Sequence, residues 1–178
     1  MARTPPGSHD ARGDRPEAQL NALLAAGQRL TVAAGESCSG GGIAHRITSV
    51  SGSSTYFLGS IVAYSNYAKQ HLLSVPAETL AQFGAVSAEC ARAMAEGARF
   101  AFGADIAVST TGIAGPTGAT KRKPVGLVYI AVSYGETSRY ETHHFSGDRG
   151  DVVQAVVDRA LAMLVAAVRA VLASDSQI

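Results

Sequence analysis

The stretch of sequence that determines the fold is Leu30-Thr31-Val32-Ala33-Ala34-Gly35-Glu36-Ser37-Cys38-Ser39-Gly40-Gly41-Gly42. Its first five residues are mostly apolar and end at a glycine, which predicts a short buried strand over 30–34. The small residues and glycines that follow predict a sharp turn, and the next apolar segment predicts a helix over 43–48. Strand, turn and helix in this order form the repeating unit of an α/β fold.

The same alternation of strands and helices continues along the chain. Hydrophobic periodicity predicts helices over 17–27, 66–73, 76–83, 87–102 and 151–172, and strands over 57–64, 106–110, 125–133 and 139–145. The last two strands form a hairpin about Tyr134-Gly135-Glu136. We therefore expect one α/β domain, a three-layer α/β/α sandwich. Its sheet should be mixed and mostly parallel, with five to six strands, one of them antiparallel.

The N-terminal segment has a different composition from the rest of the chain. It is rich in proline, glycine, arginine and aspartate and has no hydrophobic period. We expect residues 1–15 to be a disordered tail and Pro16 to begin the first helix. The folded domain is then expected over 16–174.

Composition excludes several classes of partner. The 15 Lys and Arg residues nearly balance the 14 Asp and Glu residues, and Trp is absent, so neither a basic field nor a stacking platform for nucleic acid is expected. No apolar run approaches the roughly 20 residues of a membrane span, and no signal-peptide core is present. We expect a cytoplasmic protein that binds neither nucleic acid nor membrane.

Metal-ligand patterns are also lacking. The two cysteines, Cys38 and Cys90, lie far apart in sequence, and adjacent His143 and His144 in a strand would point to opposite faces. We expect no metal site and no cofactor.

Ser37 is the first candidate for chemistry. A serine in a sharp turn between a buried strand and a helix resembles the nucleophile elbow of serine hydrolases, with backbone N–H groups nearby for an oxyanion. The alternative is structural, with Ser37 or Ser39 acting as a helix N-cap.

The base that would activate Ser37 is not determined by spacing. One possibility is a triad in which Asp105 and either His143 or His144 complete the set. The other is a lysine kept neutral by burial, for which Lys69 is a candidate after the strand 57–64.

Two further segments suggest a ligand site. The glycine-rich segment from Thr111 to Gly118 follows the strand 106–110, where α/β sheets collect ligands, and Lys121, Arg122 and Lys123 could attract phosphate. Arg149, before the last helix, could clamp a phosphate, or it could lie in a surface turn.

Taken together, seven ordered motifs resemble the C-terminal domain of CinA, whose stand-alone form is nicotinamide-nucleotide amidase. They are Ala34-Gly35-Glu36-Ser37-Cys38-Ser39-Gly40-Gly41, Gly52-Ser53-Ser54, Val62-Ala63-Tyr64-Ser65-Asn66 with Lys69, Gly84-Ala85-Val86-Ser87, Thr111-Gly112-Ile113-Ala114-Gly115-Pro116, Lys123-Pro124-Val125-Gly126 and Phe145-Ser146-Gly147-Asp148-Arg149.

The resemblance implies hydrolysis of the carboxamide of nicotinamide mononucleotide to nicotinate mononucleotide and ammonia, by a Ser/Lys dyad and within pyridine-nucleotide recycling. It implies Ser37 as nucleophile, Lys69 as base and Tyr64 as a supporting catalytic residue. Two roles stay open for Tyr64, which could orient Lys69 or relay a proton. Ser54, Thr111 and Arg149 are implied around the substrate. We expect backbone N–H groups from Cys38 to Gly41, with Gly40 and Gly41 at the substrate, to hold the oxyanion.

Alternatives to an amidase stay open at this stage. One is a non-catalytic nucleotide-binding module linked to competence or damage, and another is a general serine esterase. Longer CinA proteins carry a preceding domain that this sequence lacks, so we expect no nucleotide pyrophosphatase activity. Helices rich in alanine and valine favour a homo-oligomer.

Overall fold

The structure, a computed structural model, describes residues 15–25 and 30–175. Residues 1–14 of the expected tail lie outside this range, as does the end of the helix expected over 17–27. The helices are α1 (Pro16–Leu24), α2 (Gly42–Thr48), α3 (Asn66–Leu73), α4 (Ala77–Gln82), α5 (Ala88–Phe102) and α6 (Arg149–Asp175). The strands are β1 (Val32–Glu36), β2 (Phe57–Val62), β3 (Ile106–Gly112), β4 (Leu127–Tyr134) and β5 (Thr137–His144).

The five strands form one sheet in the order β2-β1-β3-β4-β5. Strand β1 pairs in parallel with both β2 and β3, whereas β4 is antiparallel to β3 and to β5. Four strands therefore run in one direction and β4 runs in the other. This confirms the predicted mixed sheet with one antiparallel strand.

Helices cover both faces of the sheet. Val32 and Ala34 of β1 belong to a core shared with α1, α2 and α6, whereas Ala33 packs with residues of α3, α4 and α5. Because successive strand residues point to opposite faces, β1 contributes to both cores and is buried along its whole length. The three-layer α/β/α sandwich is confirmed.

One close approach fixes α3 against α5. A Cβ at Gly97 would lie 1.8 Å from the carbonyl oxygen of Leu73, so only glycine allows this contact. Ser65 caps α3, because its side chain accepts from the N–H of Ala68. Both features hold α3 beside the carboxyl ends of β1, β2 and β3, the edge where ligands of parallel α/β sheets collect.

The described residues include no helix that is both long enough and apolar enough to cross a membrane.

Candidate active site

Ser37 follows the last residue of β1 and is almost completely buried, with 8% of its surface exposed. Its N–H donates to the carbonyl of Thr110, which ties it to β3. Apart from glycines, only Ser74 among the described residues has a positive φ. Ser37 therefore lacks the strained backbone of a nucleophile elbow. The sharp turn comes later, at Gly40 and Gly41, with φ of 61° and 98°.

Lys69 lies on the buried face of α3 and is 2% exposed. Its Nζ atom is 2.9 Å from Oγ of Ser37 and donates to the carbonyl oxygen of Ala63 at 2.7 Å. The structure thus brings together the two residues that the resemblance nominated as nucleophile and base. The Ala63 carbonyl was missed, because a backbone acceptor has no signature in the sequence.

The surroundings of Lys69 favour its neutral form. Burial lowers the pKa of Lys69, and none of the ion pairs among the described residues includes it. The nearby thiols do not compensate, since burial raises the pKa of Cys38 to about 12 and that of Cys90 to about 11. A neutral amine beside a serine hydroxyl can accept its proton.

A buried carboxylate that the sequence analysis missed organises the turn after Ser37. Glu36 is fully buried and accepts five hydrogen bonds. The donors are the hydroxyls of Ser39 and Ser60 and the N–H groups of Gly41, Ile43 and Ala44. The signal in the sequence that could have identified this role of Glu36 is an acidic residue at the end of a buried strand. The turn that follows has more backbone N–H groups than backbone acceptors.

The contacts of Glu36 change the assignment of the oxyanion donors. The N–H of Gly41 donates to Glu36, and that of Gly40 donates to the carbonyl of Ser37. These contacts correct the expectation for Gly40 and Gly41, two of the four residues whose N–H groups were expected to face the substrate. In the described part of the chain, the N–H groups of Cys38 and Ser39 donate to no carbonyl or carboxylate, so they are the donors left for an oxyanion.

The structural alternative for the two serines is wrong. Helix α2 begins after Gly41, and the N–H groups of Ile43 and Ala44 in its first turn donate to Glu36, not to Ser37 or Ser39. The Ser39 hydroxyl donates to Glu36, and because it has a single proton, the Thr110 hydroxyl 2.7 Å away must donate to Ser39. Ser39 therefore belongs to the hydrogen-bond network beneath Ser37.

A cavity of about 260 Å³ opens above the Ser37–Lys69 pair. Its walls come from the ends of β1 and β3, the start of α3, the glycine-rich loop and the first turn of α6. The lining residues include Ser37, Cys38, Tyr64, Asn66, Lys69, Thr111, Ile113, Gly115, Gly118 and Arg149. Thr111 is buried in this wall, and its hydroxyl donates to the carbonyl of Ala85.

Arg149 closes one side of this cavity from the first turn of α6. The helix begins two residues earlier than predicted, because Asp148 accepts from the N–H groups of Gly150 and Asp151 while Asp151 accepts from the N–H of Asp148. This reciprocal cap places Arg149 in the first turn of α6, at an exposed position that also lines the cavity.

Tyr64, which the resemblance implied as a supporting residue, contacts Arg149 at the rim of the cavity. Its phenol oxygen accepts from Nη2 of Arg149 at 2.8 Å. None of the hydrogen bonds of the described residues joins Tyr64 to Lys69, whose partners are Ser37 and Ala63. The side chain of Tyr64 lies at the mouth of the cavity and is 61% exposed.

Other candidates lie away from the cavity. Ser54 is exposed in the 3₁₀ turn Ser53–Thr55, just before β2. Because Phe57 pairs with Val32 at the start of β1, this turn lies at the edge of the sheet opposite Ser37. The structure does not bring Ser54 to the cavity of this chain.

The histidine triad is also excluded. Asp105 lies at the amino-terminal edge of the sheet, where it accepts from Thr31. His143 lies on the outer strand β5 and forms a hydrogen bond with Glu141.

Among the described residues, no group of three or more His, Cys, Asp or Glu side chains could hold a metal ion.

The three consecutive basic residues 121–123 lie in different environments. Lys121 and Arg122 are exposed, whereas Nζ of Lys123 donates to the carbonyls of Phe83 and Val86. Lys123 therefore fastens the glycine-rich loop to the turn before α5, and both segments line the cavity.

Comparison with known proteins agrees with this fold. The family model described as the CinA C-terminal domain matches residues 14–168. The chain belongs to this family. A CinA-like protein of Citrifermentans bemidjiense is 57% identical over 131 residues, which cover 74% of this chain and 32% of that protein. A putative competence-damage inducible protein of Moorella thermoacetica is 46% identical over 157 residues, or 88% of this chain and 38% of that protein.

Solved structures of the CinA superfamily have the same fold. The competence damage-inducible protein A of Klebsiella pneumoniae has a TM-score of 0.81 at 33% identity, with 84% of this chain and 92% of that chain covered. A competence/damage inducible protein of Agrobacterium tumefaciens has a TM-score of 0.80 at 36% identity, with coverages of 93% and 98%. The chain spans about a third of the length of the curated CinA-like relatives it matches.

Proposed function

We propose that this protein is a metal-independent serine amidohydrolase that hydrolyses the carboxamide of nicotinamide mononucleotide, in pyridine-nucleotide recycling. The observation that supports it is the buried contact of 2.9 Å between Oγ of Ser37 and Nζ of Lys69 at the base of a cavity. A lysine costs free energy to bury, so its placement beside one serine hydroxyl favours a chemical role.

The first half of the reaction uses Lys69 as general base. Neutral Nζ takes the Ser37 proton as Oγ attacks the carboxamide carbon, and negative charge develops on the amide oxygen. The N–H groups of Cys38 and Ser39 are the donors available to that oxygen. Lys69 then returns the proton to the amide nitrogen, the C–N bond breaks, and ammonia leaves an acyl group on Ser37.

The second half reverses these roles with water. Lys69 takes a proton from a water molecule as its oxygen attacks the acyl carbon. The bond to Oγ of Ser37 breaks, and Lys69 returns the proton to the serine. Nicotinate mononucleotide is released and the neutral amine is restored. Throughout, the Ala63 carbonyl holds Nζ in place.

The walls of the cavity suit a phosphorylated ligand. Arg149 carries a positive charge at its rim, and no ion pair among the described residues includes Arg149. A guanidinium without a carboxylate partner is a suitable site for a phosphate. This charge supports a nucleotide over an uncharged amide as substrate.

The direct test incubates purified protein with nicotinamide mononucleotide in the presence of a chelator, and measures ammonia and nicotinate mononucleotide. Equimolar release is expected from the wild-type protein, whereas Ser37→Ala and Lys69→Met should lose activity by a factor on the order of 10³ or more. Tyr67→Phe is a matched control, because Tyr67 stacks on His71 and does not line the cavity. A folded protein that releases no ammonia would disprove the proposal.

The same experiment separates the other candidates. Saturable binding of the nucleotide without product would indicate the non-catalytic, competence-linked module. Hydrolysis of simple activated esters, unaffected by Arg149→Met, would indicate a general serine esterase.

We also propose that the protein acts in the cytoplasm as a homo-oligomer. Large apolar side chains are exposed on β2 and α3, namely Leu58, Val62, Tyr67 and Leu72. Exposed large apolar side chains on two consecutive elements of the chain favour association. Light scattering coupled to size-exclusion chromatography would measure the mass, and a monomer at micromolar concentration would contradict this proposal.

A further inference from the structure

Arg149 is held by two contacts from separate segments of the chain. Nη1 donates to the carbonyl of Gly115 in the glycine-rich loop at 2.7 Å, and Nη2 donates to the phenol oxygen of Tyr64 at 2.8 Å. Tyr64 follows β2, so α6, the loop and the end of β2 meet at this guanidinium. All three residues line the cavity that contains Ser37 and Lys69.

These contacts leave part of the guanidinium free for a ligand. The group has five N–H donors in one plane, and two of them are used by Gly115 and Tyr64. With two nitrogens anchored, the plane of the guanidinium is fixed. A phosphate that binds the remaining donors would meet an orientation that is set before it arrives.

Tyr64 is poorly placed to act on the proton transfer itself. Its side chain is mostly exposed, whereas Lys69 and Ser37 are buried. A neutral lysine has two N–H bonds and one lone pair. The carbonyl of Ala63 accepts one N–H of Lys69, and the hydroxyl of Ser37 can donate to the lone pair of Nζ. These two contacts orient the lone pair of Lys69 without a contribution from Tyr64.

We propose that Tyr64 is a positioning residue for substrate specificity, which orients Arg149 toward a phosphate monoester on the substrate, and that it takes no part in the proton transfer between Ser37 and Lys69. This inference rests on the proposed amidase function for its kinetic form. It assigns the selectivity for a phosphorylated over an unphosphorylated nicotinamide nucleoside to a contact between two side chains 85 residues apart.

The test compares Tyr64→Phe with wild-type protein on nicotinamide mononucleotide and on the same nucleoside without phosphate. Loss of the hydroxyl should raise KM for the mononucleotide about tenfold, as expected for one hydrogen bond to a charged group, with kcat changed less than twofold. On the nucleoside, the variant and the wild type should have equal kcat/KM. A fall in kcat on both substrates would overturn the proposal, because it would place Tyr64 in the chemistry.

A double-mutant cycle isolates the contact. Arg149→Met should abolish the preference for the phosphorylated substrate, and adding Tyr64→Phe to it should have no further effect. Additive losses would overturn the proposal. Tyr67→Phe again serves as the matched control.

Binding distinguishes failure of this inference from failure of the proposed function. If neither the wild-type protein nor any variant turns over either substrate, the amidase proposal fails. Calorimetric titration with nicotinamide mononucleotide would then still test the positioning role of Tyr64. Weaker binding by Tyr64→Phe, with unchanged binding of the nucleoside, would support a positioning role. Equal binding of the mononucleotide by both proteins would overturn it.

Discussion

The Nζ atom of Lys69 lies 2.9 Å from the Oγ atom of Ser37, although 32 positions separate the two residues in the sequence. The contact forms because β1 and β2 are parallel neighbours, so the segments that follow them leave the sheet at the same edge. Ser37 follows β1 directly, and Lys69 comes from the helix after β2.

Amidase activity should rise with pH. Lys69 must be neutral to accept the serine proton, and burial lowers its pKa, so the rise in kcat/KM should have its midpoint below the usual lysine value of about 10.4. A pH profile of ammonia release measures this, with Ser37→Ala as the blank for spontaneous hydrolysis. Activity that falls as pH rises from 7 to 10 would contradict a lysine base.

The free energy of unfolding should also depend on pH through Lys69. The lowered pKa of Lys69 means that between its folded value and about 10.4 the unfolded chain binds more protons, so the wild-type free energy of unfolding rises with pH in this window. Lys69→Met lacks this dependence, and its stability relative to wild type should therefore decrease from pH 7 to pH 10. Urea unfolding at both values measures the difference. The exposed Lys121→Met serves as control, and a Lys69→Met difference that is the same at both pH values would contradict the prediction.

Glu36→Gln should strongly destabilise the protein. An amide nitrogen cannot accept the hydrogen bonds that one carboxylate oxygen now takes, so at least two buried donors lose their partner at a cost of at least about 2 kcal/mol. Ser60→Ala removes one of the five donors and should cost about 1 kcal/mol. Urea unfolding of both variants tests the order. Equal stability of Glu36→Gln and wild type would show that the carboxylate does not hold the turn.

The two cysteines should be inert in the folded protein. Burial raises the pKa of Cys38 to about 12 and that of Cys90 to about 11, so almost no thiolate is present at pH 8. Treatment with iodoacetamide should leave both unmodified by mass spectrometry and leave activity intact, whereas the protein in urea should be alkylated twice. Rapid alkylation of either cysteine in the folded protein would contradict this prediction.

Lys123→Met should loosen the wall of the cavity. Its ammonium group holds the glycine-rich loop through the carbonyls of Phe83 and Val86. Losing both bonds should cost about 1 kcal/mol of stability, because the site is partly solvated, and should raise KM more than it changes kcat. Lys121→Met removes a nearby exposed charge as the matched control. If the Lys123→Met and Lys121→Met variants have equal KM values, any change from the wild-type KM comes from the lost charge and not from the contacts of Lys123.

Local patterns predicted most of the fold. The helix expected over 87–102 is α5, which Ser87 caps by accepting from the N–H of Cys90. The bounds of α3 match the predicted 66–73. Predictions failed by a few residues at β1, which extends to Glu36 because it pairs on both sides and remains buried beyond its apolar run.

The site could be predicted only in part. Ser37 could be predicted from the turn that carries it, but Lys69 was selected by resemblance and not by spacing. The role of Glu36 and the contact between Tyr64 and Arg149 were not predicted, because each joins a side chain to groups that only folding brings near it. The triad with Asp105 and His143 stayed open for the same reason, until strand order placed these residues away from Ser37.

By itself, the sequence determined the alternation of strands and helices, the turn that carries Ser37 and the membership of the CinA C-terminal domain family, because periodicity and motifs are properties of neighbouring residues. The tertiary structure alone decided which side chain meets Ser37, which N–H groups of the described turn lack an acceptor and which partner Tyr64 has. These depend on the parallel register of β1, β2 and β3, which brings the ends of distant segments to one edge of the sheet.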